Sequence, residues 1–207
     1  MQMQALFRGA LALTAVATVM AAAPAHAVLV YSGPVSIAIP DDIDGVYVNL
    51  VTGASGATGG SAPGWDINPY SALAGQFNLW GFTTTTWLSP SGVIGGPYPL
   101  AAGTSIDAAG TFFRPGGGTD VGTQVTLNAA NLFGVRFTNE ALGNAINFGW
   151  VEITFGASAA ERSITGWAYE NSGGAILANA VPEPGTYAMM LAGLAAIGGL
   201  VARRRQA

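Results

Sequence analysis

Residues 133–138 read FGVRFT. Phe133, Val135 and Phe137 alternate with Gly134, Arg136 and Thr138, which is the period of a strand with one apolar face. The same period returns twice in the next thirty residues. Val151, Ile153 and Phe155 alternate with Glu152 and Thr154, and Thr165, Trp167 and Tyr169 alternate with Gly166, Ala168 and Glu170. Runs of this kind, each rich in β-branched and aromatic residues, predict half-buried strands. Working outward, further strands are expected over Pro34–Ile39, Val46–Val51, Phe77–Phe82, Thr84–Leu88, Thr111–Arg114 and Gln124–Leu127. Clusters of turn residues separate them at Thr52–Gly64, Ser89–Pro99, Pro115–Asp120 and Asn171–Gly174. No long stretch of the body has a helical period. The expected fold is all-β, an antiparallel sandwich of the jelly-roll kind, over residues 28–180.

Both ends of the chain read as addresses. Arg8 is the single charge before Asp41, Gly9–Ala23 is apolar apart from two threonines, and Ala25-His26-Ala27 supplies an A-x-A site. That order describes a secretory signal peptide over residues 1–27, with cleavage at Ala25/Ala27 to leave Val28 first. At the other end, Tyr187–Ala202 carries no charge and is rich in Ala and Gly. A helix over 186–202 would be about 25 Å long, short of a hydrocarbon core of about 30 Å, and snorkelling arginines would make up part of the deficit. Arg203, Arg204 and Arg205 would stay on the cytoplasmic side, placing the body outside the inner membrane.

The junction is Val181-Pro182-Glu183-Pro184. This motif, followed by a short apolar span and a terminal arginine cluster, resembles the PEP-CTERM sorting signal, here over 181–207. The resemblance implies an exported protein of a Gram-negative bacterium that makes exopolysaccharide. It also implies an exosortase that recognises the Pro-Glu-Pro region and removes the tail, after which the protein goes to the cell surface or the extracellular matrix. The implied partners are the Sec translocon, signal peptidase and the exosortase, with transient insertion in the inner membrane and exopolysaccharide at the destination. Gly185 stands where many members carry Ser or Thr. The stretches NFGWVEITFG (147–156) and SITGWAYENSGGAILANAVPEP (163–184) also resemble the segment that precedes the signal in such passengers.

The chemistry of the body is narrow. It holds three arginines (Arg114, Arg136, Arg162) against ten carboxylates, so nucleic acid and anionic lipid are disfavoured partners. There is no Cys and no Lys, and the sole His lies in the expected signal peptide. Ser-His-Asp triads, Cys-His dyads, the usual zinc sites and thiol redox chemistry are thereby excluded. Carboxylate pairs remain, as a glycosidase uses. Glu152 stands alone on its strand, Glu161 follows a turn and Glu170 ends another strand, so no catalytic residue is assigned and a non-enzymatic protein is expected.

Two binding features stand out. The sequence PDDIDG (40–45) gathers Asp41, Asp42 and Asp44 beside a glycine, a composition that suits calcium. Aligned as an EF-hand it fails, because Pro40 and Val51 would fall at the first and twelfth ligand positions. The bland reading, an acidic turn closed by Asx-type hydrogen bonds, is preferred. No cofactor is expected beyond that calcium. Trp65, Trp80, Trp87, Trp150 and Trp167 raise carbohydrate contact, since a sugar's C–H face packs on an indole. Trp65 is the best candidate, in a loop-like stretch with Asp66, Asn68 and Tyr70; Trp150 and Trp167 read as core. The expected function is a secreted or surface-sorted component of the extracellular polysaccharide or biofilm matrix. The alternative is a calcium-dependent lectin-like module, and a carboxylate glycosidase ranks third.

Overall fold

A computed structural model describes residues 28–90, 96–115, 119–182 and 193–194. The expected signal peptide with Ala25 and Ala27, and Glu183, Pro184 and Arg203–Arg205, lie outside them. Of the expected span, Gly193 and Leu194 alone are described, and both are helical. Among the described residues no helix is long and apolar enough to cross a membrane.

The described strands are β1 (Leu29–Tyr31), β2 (Ile37–Ala38), β3 (Tyr47–Val48), β4 (Ser55–Gly56), β5 (Ile67–Tyr70), β6 (Asn78–Gly81), β7 (Thr86–Ser89), β8 (Ser105–Ile106), β9 (Thr111–Phe113), β10 (Ala130–Asn139), β11 (Ala145–Phe155), β12 (Arg162–Glu170) and β13 (Ile176–Leu177). All pairings between them are antiparallel. β10, β11 and β12 are the three strands that the alternation predicted, and they pair in chain order as a meander. They sit in a large sheet of order β1-β12-β11-β10-β7-β9, with β2 also on β12. β1 and β2 are two pieces of one edge, interrupted around Gly33-Pro34, which suits a proline that cannot donate to a ladder. A four-stranded sheet, β4-β3-β5-β6, supplies the second layer.

Apolar burial holds the layers together. Val48, Ile67 and Leu79 of the small sheet share one core with Phe133, Val135, Val151, Ile153 and Ile164 of the large sheet. Trp87 is fully buried in it. The opposite face of the large sheet is covered too. There Leu88, Leu100, Ile106, Leu132, Phe148, Trp150 and Ile176 form a second core beneath the β8–β13 ribbon. The expectation of half-buried strands is therefore corrected: the centre of the meander is buried on both sides. Gly134 shows why. A Cβ there would lie 2.8 Å from the Leu88 Cβ and 3.1 Å from the Leu100 Cδ1, so the residue is a slot for the covering leucines.

A second correction concerns Gln124–Leu127. It is not a strand but a 3-10 turn (Gly122–Gln124) followed by a turn whose Asn128 has φ 53°. The Asn131 side chain accepts from the Thr126 N–H (2.8 Å) and donates to the Thr126 carbonyl (2.9 Å), doing what a neighbouring strand would do.

Candidate functional site

The small sheet presents an aromatic row. Val48 points into the core, so Tyr47 beside it points away. The Trp65 ring stands edge-on between Tyr47 (centroids 4.9 Å apart, 84°) and Phe82 (5.1 Å, 69°). Such edge-to-face pairs contribute about 1 kcal/mol each and hold the rings in fixed orientations. Gly59 backs the indole closely: a Cβ there would lie 2.7 Å from the Trp65 Nε1. Phe82 is 49% exposed, so the row reaches solvent. Two residues back along the chain, Trp80 carries the Arg114 guanidinium 4.5 Å above its ring, and Arg114 also donates to the Gly81 carbonyl at 2.9 Å.

Of the residues expected to join Trp65, none shares its position. The stretch after Trp65 is strand β5, not a loop, because Ile67 is drawn fully into the core and pulls its neighbours into register with β6. Asp66 is buried and accepts from the Leu50 N–H at 2.7 Å. Burial pushes its carboxyl pKa up to about 7; the Leu50 bond opposes this and the charge of Glu140 adds to it. Asn68 is buried and donates to the Asp44 carbonyl at 2.8 Å, and Tyr70 is 7% exposed. Tyr47 and Phe82 complete the row instead. Sequence reading had no handle on them, since each is a single ring beside a turn.

The acidic turn is also placed. Asp41 accepts from the Ser71 hydroxyl and the Gly75 N–H and lies 3.7 Å from Arg162. These contacts, the Ser71 bond first, hold its carboxyl below the usual range. Asp42 accepts from the N–H groups of Asp44 (3.1 Å) and Gly45 (2.8 Å), which is the Asx-type turn. The two side chains are thus turned to different protein donors. Among the described residues, no group of three or more such ligands, Asp41, Asp42 and Asp44 included, is arranged to hold a metal ion. Gly45 fixes the turn, with φ 56° and a backbone so close that a Cβ would sit 2.2 Å from the Pro69 carbonyl oxygen. The carboxylates weighed for hydrolysis are engaged singly: Glu152 by the Thr165 hydroxyl (2.6 Å) and Glu161 by the Ala157 N–H (3.0 Å).

The final described stretch of the body is docked on the large sheet. β13 pairs with β8, Ala178 donates to the Thr104 carbonyl at 2.9 Å, and the Trp150 indole donates to the Ala180 carbonyl at 3.0 Å. Val181 then emerges, 44% exposed. The start of the body reaches the same place: Tyr31 of β1 packs 6.0 Å from the Trp150 ring, and Val28 is bonded to Asn171 in both directions. Residues 180–205 match the model of the PEP-CTERM protein-sorting motif. No curated protein and no solved structure matches the chain. The motif marks an exported, sorted protein, consistent with an exosortase substrate.

Proposed function

We propose that the chain is exported by its signal peptide, held at the inner membrane of a Gram-negative cell by the apolar span, and trimmed by an exosortase. The β body then serves as a non-enzymatic component of the cell surface or extracellular polysaccharide matrix. The observation that carries this reading is the sorting motif joined to a body whose chain is held by Trp150 at Ala180, just before Pro182. The test is the intact mass of the protein from its host's surface and medium, with peptide mapping of both ends. A chain from Val28 to about Pro184 is expected. Retention of Arg203–Arg205 would overturn the trimming step and leave a single-span anchored protein.

The aromatic row favours a second reading, in which the body contacts glycan. Trp65→Ala is then expected to weaken binding to host polysaccharide about tenfold in a pull-down or titration, since one stacked ring contributes roughly 1–3 kcal/mol in comparable platforms. Unchanged binding would remove the row from consideration. Calcium dependence finds no support in the way Asp41 and Asp42 are occupied, and EDTA is expected to leave binding intact.

A further inference from the structure

We propose that a groove on the outer face of the large sheet binds a carboxylate-bearing sugar ring through Arg136. The groove is separate from the aromatic row and does not rest on it. It has a volume of about 460 Å³, in the range of small-molecule sites, and is lined by Arg136, Phe112, Phe148, Ile146 and the backbone of Gly110 and Gly173. Strand pairing builds it. Arg136 of β10 lies directly opposite Phe148 of β11, so both side chains stand on the same face. Phe112 arrives from β9, its ring 5.7 Å from that of Phe148.

Arg136 differs from the other two arginines of the body. Arg162 is buried among four oxygen acceptors and Arg114 lies on Trp80. Arg136 is half-buried and, among the described residues, has no hydrogen-bond, ion-pair or ring partner. Asp107, next in the chain to the lining residue Ala108, and Glu170, paired opposite Phe148, are engaged by their own turns. Asp107 accepts from the Ser105 hydroxyl (2.6 Å) and the Ala109 N–H (2.8 Å); Glu170 accepts from the N–H groups of Ser172 and Gly174. A body with ten carboxylates therefore keeps one uncommitted guanidinium, in a groove that Phe112 and Phe148 also line.

The ligand class follows from those groups. A guanidinium offers paired donors in the geometry of a carboxylate. The partly buried Phe112 ring accepts the C–H face of a six-membered ring, and Phe148, buried in the second core, backs it. Gly110 and Gly173 can contribute only backbone polar atoms; the Gly110 N–H already donates to the Asp107 carbonyl (3.1 Å), and the carbonyl oxygens, each with two lone pairs, suit hydroxyls. Carboxylate, apolar ring face and hydroxyls together describe a uronate.

The test is calorimetric titration of the full chain in mild detergent with trigalacturonate, the neutral galactose trisaccharide, and benzoate. Trigalacturonate is expected to bind at least tenfold tighter than the neutral sugar, and more weakly as salt rises. Arg136→Gln should abolish that preference without lowering the melting temperature, because the Arg136 guanidinium has no hydrogen-bond or ion-pair partner among the described residues and glutamine keeps part of its stem. Phe112→Leu should weaken both sugars. Equal binding of acidic and neutral sugars, or full binding by Arg136→Gln, would overturn the site. Benzoate binding tighter than trigalacturonate would overturn the sugar assignment. Loss of uronate binding in Trp65→Ala would move it to the aromatic row.

Discussion

Replacing Arg162 by methionine is expected to lower stability by about 3–5 kcal/mol, the largest loss expected from any single polar side chain in this body. Arg162 opens β12 with its side chain buried, and its guanidinium reaches three separate segments. It donates to the carbonyls of Gln76 (2.6 Å), Ala159 (2.7 Å) and Pro40 (3.1 Å), and to the Ser71 hydroxyl, which passes a bond on to Asp41. It also lies 5.2 Å from the Phe77 ring. Methionine fills similar space but leaves those oxygens without donors, and lysine cannot reach them all from one ammonium. Urea denaturation would read the loss, with a melting point lower by roughly 10–15 °C. Asp41→Asn is the control. Its carboxylate is partly exposed and its ion pair is long, so that change is expected to cost about 1 kcal/mol or less. Similar losses in the two variants would mean that the ion pair, and not the set of carbonyl contacts, holds this end of the sandwich.

That clamp was not visible in the sequence, where Arg162 was one charge among few. The reason is physical. Its partners lie 3 to 122 residues away, and three of them are backbone carbonyls, which carry no sequence signature. The three strands of the meander were legible because β10, β11 and β12 are long enough, at 10, 11 and 9 residues, for period two to show. β4, β8 and β13 hold two residues each and have no period to find. β5 was masked by its composition: Asp, Asn and Pro around Ile67 read as a loop, and burial of Ile67 overrode them. Trp65 was legible as a partly exposed ring, but its true neighbours are distant in the chain, Tyr47 in β3 and Phe82 just after β6. Arg136 was counted as the polar side of a strand; that it stays unpartnered depends on β9 and on two acidic turns closing on themselves.

Asp66→Asn is expected to stabilise the body at pH 8 and to leave it nearly unchanged at pH 4. Asp66 is 3% exposed, and burial raises its pKa from the usual 3.8 to about 7. Between those values the folded state keeps a proton that the unfolded chain has released. Its contribution is therefore fully present below the unfolded pKa and is lost as pH rises through the folded one, by about 4 kcal/mol at most. Burial dominates in this pocket: it raises Asp66 against the Leu50 bond and with the help of Glu140, and it raises the Tyr169 phenol against the Asn139 bond and with the help of Asp66. Asparagine keeps an oxygen for the Leu50 N–H but never ionises, so the variant lacks the slope. Asp41 contributes with the opposite sign and in a lower window, its stabilisation being lost as pH falls through its depressed pKa. Urea curves for both proteins at pH 4, 6 and 8 separate these effects, because the difference between wild type and Asp66→Asn cancels Asp41. A gap that opens steadily from pH 4 to pH 8 is expected. Parallel curves would show that the Asp66 carboxylate is solvated in the folded state, and that Leu50 and Asp66 do not meet in a dry pocket.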